Sequence, residues 1–440
     1  MAAHRRPARA PQSGQSLLIA LGLLLAGGAM LMAMFSTGQV AIAKQRLVGA
    51  ADAAAWSVGL WRARVLNYHA YSNRAIVANE VAIAQAVTLL AWSQYFESLT
   101  RNATAFATLL PPAEPVLLGA AEAARLAREA AEAAARIEVA ARGAEAIGYG
   151  AILRESQEIL QLSTQGFGAS MVAAEVARAN DRSYFAWVLP DASRGWQRFT
   201  HRTDSPEALQ RVADLVRESL DPFTAGPRSE DIRTPVPSPC LNLMRLRKRG
   251  ATTWSEDLSR WEAVDTMSFH LRTLRGLRCR ETEAVPLGWG AVEAGSPLHA
   301  IVGTEGEIDI NPAANALAAA SMVSLPGYGG FGPVRELDLD GVANDRFPTA
   351  RLAVIARQPG EAVATAMNRG LASGRMLPPD HFAGDGAPHL WALSAAEVFF
   401  RRPVDAPARL EYASLFNPYW QVRLAAPSAA DQAAAYGYVR

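Results

Sequence analysis

The stretch QSLLIALGLLLAGGAMLMAMFSTGQVAIAKQRLVGAADAAAW, Gln15 to Trp56, decides how every later residue is read. Its apolar part runs from Leu17 to Phe35, and no charge occurs between Ala10 and Ala43. A helix over that part is ~28 Å long at ~1.5 Å per residue, close to the ~30 Å hydrocarbon layer of a bilayer. Cores of cleaved signal peptides are shorter, about 7–15 residues. Ala41-Ile42-Ala43 has the small-x-small form of a cleavage site, but it lies about eight residues past the apolar core. Length therefore favours an anchor that is retained over a leader that is removed. His4, Arg5, Arg6 and Arg9 precede the span, so the tail is expected in the cytoplasm, with Lys44 and Arg46 weakening that asymmetry. The bulk of the chain then lies beyond the membrane, in the periplasm of a Gram-negative cell, and the anchor is expected in its inner membrane.

Downstream, proline is absent from Gln45 to Leu110, which predicts one continuous helix ended by PPAEP at Pro111–Pro115. Trp61, Tyr68 and Tyr71, then Ile76, Ile83, Val87 and Leu90, recur at helical spacing and predict a core-packing stripe. A second, alanine-rich helical stretch is expected from Val116 to about Asn180. Its pairs Arg125–Glu129, Arg128–Glu132, Glu132–Arg136 and Glu138–Arg142 are each four apart, as on a solvated helix face. Small side chains permit close approach, so an antiparallel hairpin or a short coiled coil is expected. Gly143, Gly148, Gly150, Gly166 and Gly168 are expected to kink or interrupt the second one.

Beyond Ser183 the pattern becomes mixed. YFAWVLP reads as a strand. Ser205 and Pro206 open a capped helix, and GPRSEDIRTPVPSPC reads as a connection. WSEDLSRWEAVDTMSFHLRTL reads as helix, with Trp261, Val264, Met267 and Leu271 on one side. HAIVG, VRELDL, ARLAVIARQ, AEVFFRRP and ARLEYASLFNPYWQVRLA are strand candidates. The expected fold class is α+β, with mainly antiparallel pairing. Four segments are expected: a tail (1–16), the anchor (17–43), a helical stalk (44–182) and a periplasmic domain (183–440).

No sequence motif argues for catalysis. The seven histidines are scattered, HExxH and GxSxG are absent, and no phosphate-binding glycine motif occurs, so no catalytic residue, cofactor or metal ligand is assigned. SLPGYGGFGP (Ser324–Pro333) reads as a flexible surface loop. Glu336-Leu-Asp338-Leu-Asp340-Gly341 begins like a calcium loop but has Phe347 where a bidentate Glu is required. Asp191 and Ser193 have the spacing of an adhesion-type metal site, with Gly195 in place of its second Ser, and a turn at Asp191 is expected instead. Cys240 and Cys279 are either one disulfide, closing a loop of about 40 residues worth ~4 kcal/mol, or two free buried thiols. An exported domain favours the bridge. Gly22, Ala26 and Ala29 offer small surfaces through which the anchor can pack on other helices, a route to homo-oligomers. A net charge of +1 gives no argument for nucleic acid.

The segment SGQSLLIALGLLLAGG followed by QRLVGAADAAAW resembles the amino-terminal region of TadE/TadG-like proteins of Flp (tight-adherence) pilus assembly. The likeness continues through YSNRAIVANEVAIAQAVTLLAWSQY (Tyr71–Tyr95) and the later segments WSEDLSRWEAVDTMSFH, AEVFFRRP and EYASLFNPYWQVRLA. It implies an inner-membrane protein with a large periplasmic domain, serving a type IV-like pilus machine without enzymatic activity. Implied partners are membrane lipid and other pilus-assembly or secretion proteins. Prepilin processing requires Glu at the fifth residue after a glycine, and Ile19 occupies that position after Gly14, so a permanent anchor fits better. A signal-cleaved periplasmic binding protein or hydrolase is the alternative class.

Overall fold

The computed structural model describes residues 15–105, 111–203, 205–233, 244–275, 278–295, 310–338, 347–366, 368–369, 389–402 and 411–439. Helix α1 (Gln15–Thr104) runs without interruption through the anchor segment and the following region, 90 residues in all. At ~1.5 Å per residue it measures about 135 Å along its axis. It contains no proline, and it ends shortly before the turn at Pro111–Ala113. α2 (Glu114–Ser163) and α3 (Gly166–Asn180) return antiparallel along it. The level of each is fixed by contacts such as Arg128 with Glu97, Asn79 with the Arg142 carbonyl and Arg62 with the Thr164 carbonyl. The four ion pairs read from α2 all form, at 2.5–2.8 Å.

Of the five expected interruptions only the Gly166 region breaks the helix, with Gly166 at φ +23°. Gly143 and Gly150 are buried inside α2, and Gly143 serves close approach instead. A Cβ on Gly143 would lie 1.8 Å from the Gly327 carbonyl oxygen. In the α1 stripe, Ile76, Ile83, Val87 and Leu90 are buried as expected, whereas Tyr71 is exposed and Trp61 and Tyr68 are half-buried.

Two sheets flank α1. The first has the order β1-β9-β10-β11 and is antiparallel throughout: β1 (Phe185–Val188), β9 (Ala350–Pro359), β10 (His389–Phe400) and β11 (Trp420–Ala425). Leu352, Val354 and Ala356 point to α1 and α3, meeting Leu47, Ala51, Val58, Ala169 and Ala173. The alternate residues Ala353 and Ile355 point to the other face, under the carboxyl-terminal α8 (Ala429–Val439). That period-two division is what a strand covered on both faces requires. α1 crosses at Gly59, where a Cβ would stand 2.5 Å from Val422.

The second sheet has the order β3-β4-β5-β6-β7: β3 (Glu230–Arg233), β4 (Met244–Trp254), β5 (Arg260–Arg275), β6 (Arg278–Gly295) and β7 (Val323–Leu325). Only the β6–β7 pair is parallel. Trp261, Ala263, Val292 and Ala294 face Ile83, Val87 and Leu90 of α1, and Val264 and Ala291 face α7 (Pro312–Ala320) on the opposite side. At Gly290 the sheet touches the helix backbone, since a Cβ there would lie 2.2 Å from the Ala91 oxygen.

The expected helix over WSEDLSRWEAVDTMSFHLRTL is wrong. These residues form the end of β4, a turn through Leu258 (φ +56°) and β5. Because α1 and α7 cover both faces of β5, apolar residues fall on both of its sides, and the period-two signal disappears. The connection GPRSEDIRTPVPSPC likewise contributes the edge strand β3. YFAWVLP, VRELDL, ARLAVIARQ and AEVFFRRP contribute strands β1, β8 (Arg335–Leu337), β9 and β10, with β8 pairing β2 (Thr200–Arg202). ARLEYASLFNPYWQVRLA supplies β11 only over its last part, and HAIVG lies outside the described residues. The helix opened by Ser205 is α5 (Pro206–Glu218), whose cap hydroxyl accepts from the Ala208 amide at 3.1 Å.

The overall class is α+β. The region read as a stalk shares both hydrophobic cores with the sheets, so residue 183 is not a packing boundary.

Candidate membrane-facing end and buried polar centres

The first turns of α1, up to Phe35, stand apart from both cores. Leu17, Leu18, Leu23, Leu24 and Leu31 are 69–75 % exposed, and the most apolar window of the helix has no buried residue. This is one helix long and apolar enough to cross a membrane. Gly22, Ala26 and Ala29 lie within it, exposed, and a Cβ on Gly22 meets nothing within 4 Å. The body begins at Ser36, whose hydroxyl accepts from the Ala366 amide, and at Val40.

A short way along α1 the chain gathers aromatic and basic side chains from distant segments. Lys44 donates to the Trp391 carbonyl and stands 5.1 Å from its ring centre. Trp391 meets Tyr436 edge-on at 5.5 Å, Trp187 meets Tyr438 at 6.4 Å, and Arg357 lies over Trp187 at 6.0 Å. Tyr436, Tyr438 and Phe185 remain about half exposed. Amphipathic rings with cations at the end nearest an apolar helix are what a membrane–water boundary favours.

Farther along, α1 carries a buried carboxyl. Oε2 of Glu80 accepts from Trp261 Nε1 at 3.2 Å and from the Tyr328 hydroxyl at 2.7 Å. Burial pushes its pKa up to about 7 against those bonds and the nearby Arg154 guanidinium. The group lines a cavity of about 100 Å³ with Asn79, Glu145, Tyr149 and Arg154. Tyr328 belongs to SLPGYGGFGP, which is therefore no flexible surface loop. Leu325 and Tyr328 are buried, and Gly327 (φ +110°) lies against Ala140 of α2. Only glycine combines that backbone angle with so close an approach.

Other buried charges are structural ties. Asp265, fully buried, takes bonds from both Arg228 (2.8 Å) and Lys248 (2.9 Å). Arg62 stacks 4.8 Å over Trp196 and donates to the Thr164 carbonyl at the end of α2, where the helix dipole favours a cation. Burial pulls the His69 pKa down to about 3, so it is neutral near pH 7.

The other sites weighed in the sequence do not converge. Glu336 pairs with Arg211 at 3.2 Å, while Asp340 and Gly341 lie outside the described residues. Asp191 and Ser193 stand in the short helix α4 (Pro190–Gln197) rather than in a turn. Cys279, on β6, is disulfide-bonded, and Cys240 lies outside the described residues. Among the described residues no group of three or more His, Cys, Asp or Glu is placed to hold a metal ion.

The sequence reading missed the Glu80 centre, although a single Glu within VANEVAIAQAV was a legible signal. It also missed the aromatic end, whose members come from segments far apart in the chain and carry no local signature. Compared with known proteins, the chain matches no family model, no characterised protein and no solved structure.

Proposed function

We infer that this chain is a non-catalytic, single-span membrane component of the TadE/TadG kind, holding its α+β body in the periplasm for partners of a Flp-type pilus or secretion machine. The observation that carries the reading is the continuity of α1. One helix joins an exposed apolar segment to both hydrophobic cores with no proline or break between them. A flexible tether would let the body drift. A continuous helix that is itself the centre of the body fixes its height and orientation at the membrane, as a scaffold needs. The aromatic and basic end of the body supports the same orientation.

The test is co-purification of the tagged full chain from mildly solubilised membranes of its own cell, with identification of what is bound. Pilus-assembly or secretion proteins are the expected partners. Recovery of none, with loss of the chain leaving surface pili intact, refutes the reading.

A further inference from the structure

Between α3, β1, β9 and β10 lies an open pocket of about 430 Å³, lined by Ala174, Arg178, Phe185, Trp187, Arg357 and His389 among others. Among the described residues its lining combines two guanidinium groups with apolar and aromatic surface and contains no carboxylate. His389 Nδ1 accepts from Arg357 Nη2 at 3.0 Å, which orients that guanidinium, and the Trp187 ring lies beneath it. Among the described residues neither Arg178 nor Arg357 forms an ion pair, unlike most arginines on α2. Two cations with no ion-pair partner among the described residues, set over an apolar floor, suit an anion that carries a greasy appendage.

The position narrows the ligand further. β9 ends at Pro359, opposite His389, and the chain then returns to α1, where the Ala366 amide meets Ser36. The pocket is thus at the end of the sheet nearest the apolar segment. Lys44, whose partner Trp391 is two residues from His389, is about 13 Å along α1 from Phe35. The headgroup layer occupies roughly 5–8 Å of that interval, and a helix tilt of about 20° lowers one flank of the body farther.

We propose that this pocket seats the headgroup of an acidic phospholipid, Arg178 and Arg357 taking the phosphate and Phe185 and Trp187 the adjoining glycerol-ester region. The site rests on the membrane-anchored reading for its orientation. Its binding chemistry is testable apart from it.

The full chain is purified in a mild neutral detergent, and retained lipid is counted by native mass spectrometry after mixing with phosphatidylglycerol or phosphatidylcholine in mixed micelles. Roughly tenfold preferential retention of phosphatidylglycerol is expected. R178Q/R357Q should abolish the preference, and R178K/R357K should restore part of it. R178E, altering an exposed residue of α3, reports should the double variant fail to fold. Equal retention of the two lipids, or a preference unchanged in R178Q/R357Q and R178E, overturns the proposal. Displacement of the lipid by free glycerol 3-phosphate at equal concentration overturns the lipid source and assigns the site to a soluble phosphate. If the preference holds in micelles while the chain washes free of membranes, the anchor reading fails and the pocket stands.

Discussion

Replacing Glu80 by Gln should reshape the dependence of stability on pH. Burial raises this carboxyl from its ordinary 4.5 to about 7, so the folded chain keeps a proton that the unfolded chain has lost. A raised acid pKa lowers stability as pH climbs from the unfolded value through the folded one, and the loss is complete above about pH 7. Each tenfold difference in proton affinity between the two states is worth ~1.36 kcal/mol. Between pH 5 and pH 8 the folded wild type should therefore lose about 2–3 kcal/mol through this one group. Gln keeps an oxygen able to accept from Trp261 and Tyr328, and its amide can face the cavity beside Arg154 and Glu145. It titrates nowhere in that range. Denaturant unfolding of both proteins in one detergent, followed by tryptophan fluorescence at pH 5 and pH 8, isolates the effect, because the other titrating groups cancel in the difference. E80Q should gain about 2–3 kcal/mol relative to wild type on going from pH 5 to pH 8. Parallel pH profiles would refute the buried, protonated carboxyl.

Three further outcomes are expected. Asp265→Asn leaves Arg228 and Lys248 without their buried counter-charge and should cost about 3–5 kcal/mol, seen as a lower denaturation midpoint. Gly290→Ala forces β6 off the α1 backbone and should destabilise by about 1–3 kcal/mol, whereas Gly148→Ala, with open space around it, should stabilise or be neutral. Cys279→Ser should remove the mass difference between reduced and non-reduced chain, and should cost up to ~4 kcal/mol if the partner is Cys240 across its loop.

Helices were more legible than strands. The proline-free run, the ion-pair ladder of α2 and the Ser205-Pro206 cap are local properties, and α1, the start of α2 and the start of α5 follow from them, although α2 ends at Ser163 rather than near Asn180. β5 was misread because Trp261, Val264 and Met267 are apolar for two different reasons, two facing α1 and one facing α7, and their spacing imitates a helix. The glycines of α2 were misread as breaks for a related reason. Gly143 is small because a carbonyl from residue 327 presses on it, and nothing near it in sequence records that contact. The membrane-compatible segment was plain from composition alone, but the basic pocket was not. Arg178, Arg357 and His389 meet only when α3 is laid along the edge of the first sheet.

The state of the amino terminus in the cell bears most directly on the anchor. The full chain is expressed in a Gram-negative host, its membranes are washed at alkaline pH, spheroplasts are treated with protease, and intact mass is recorded. The anchored reading predicts a chain that still carries residues 1–43, stays with the membrane, and loses its body to protease added outside the spheroplast. A mature chain beginning after Ala43 in the soluble periplasmic fraction, or a body digested only after the spheroplasts are broken, would contradict it.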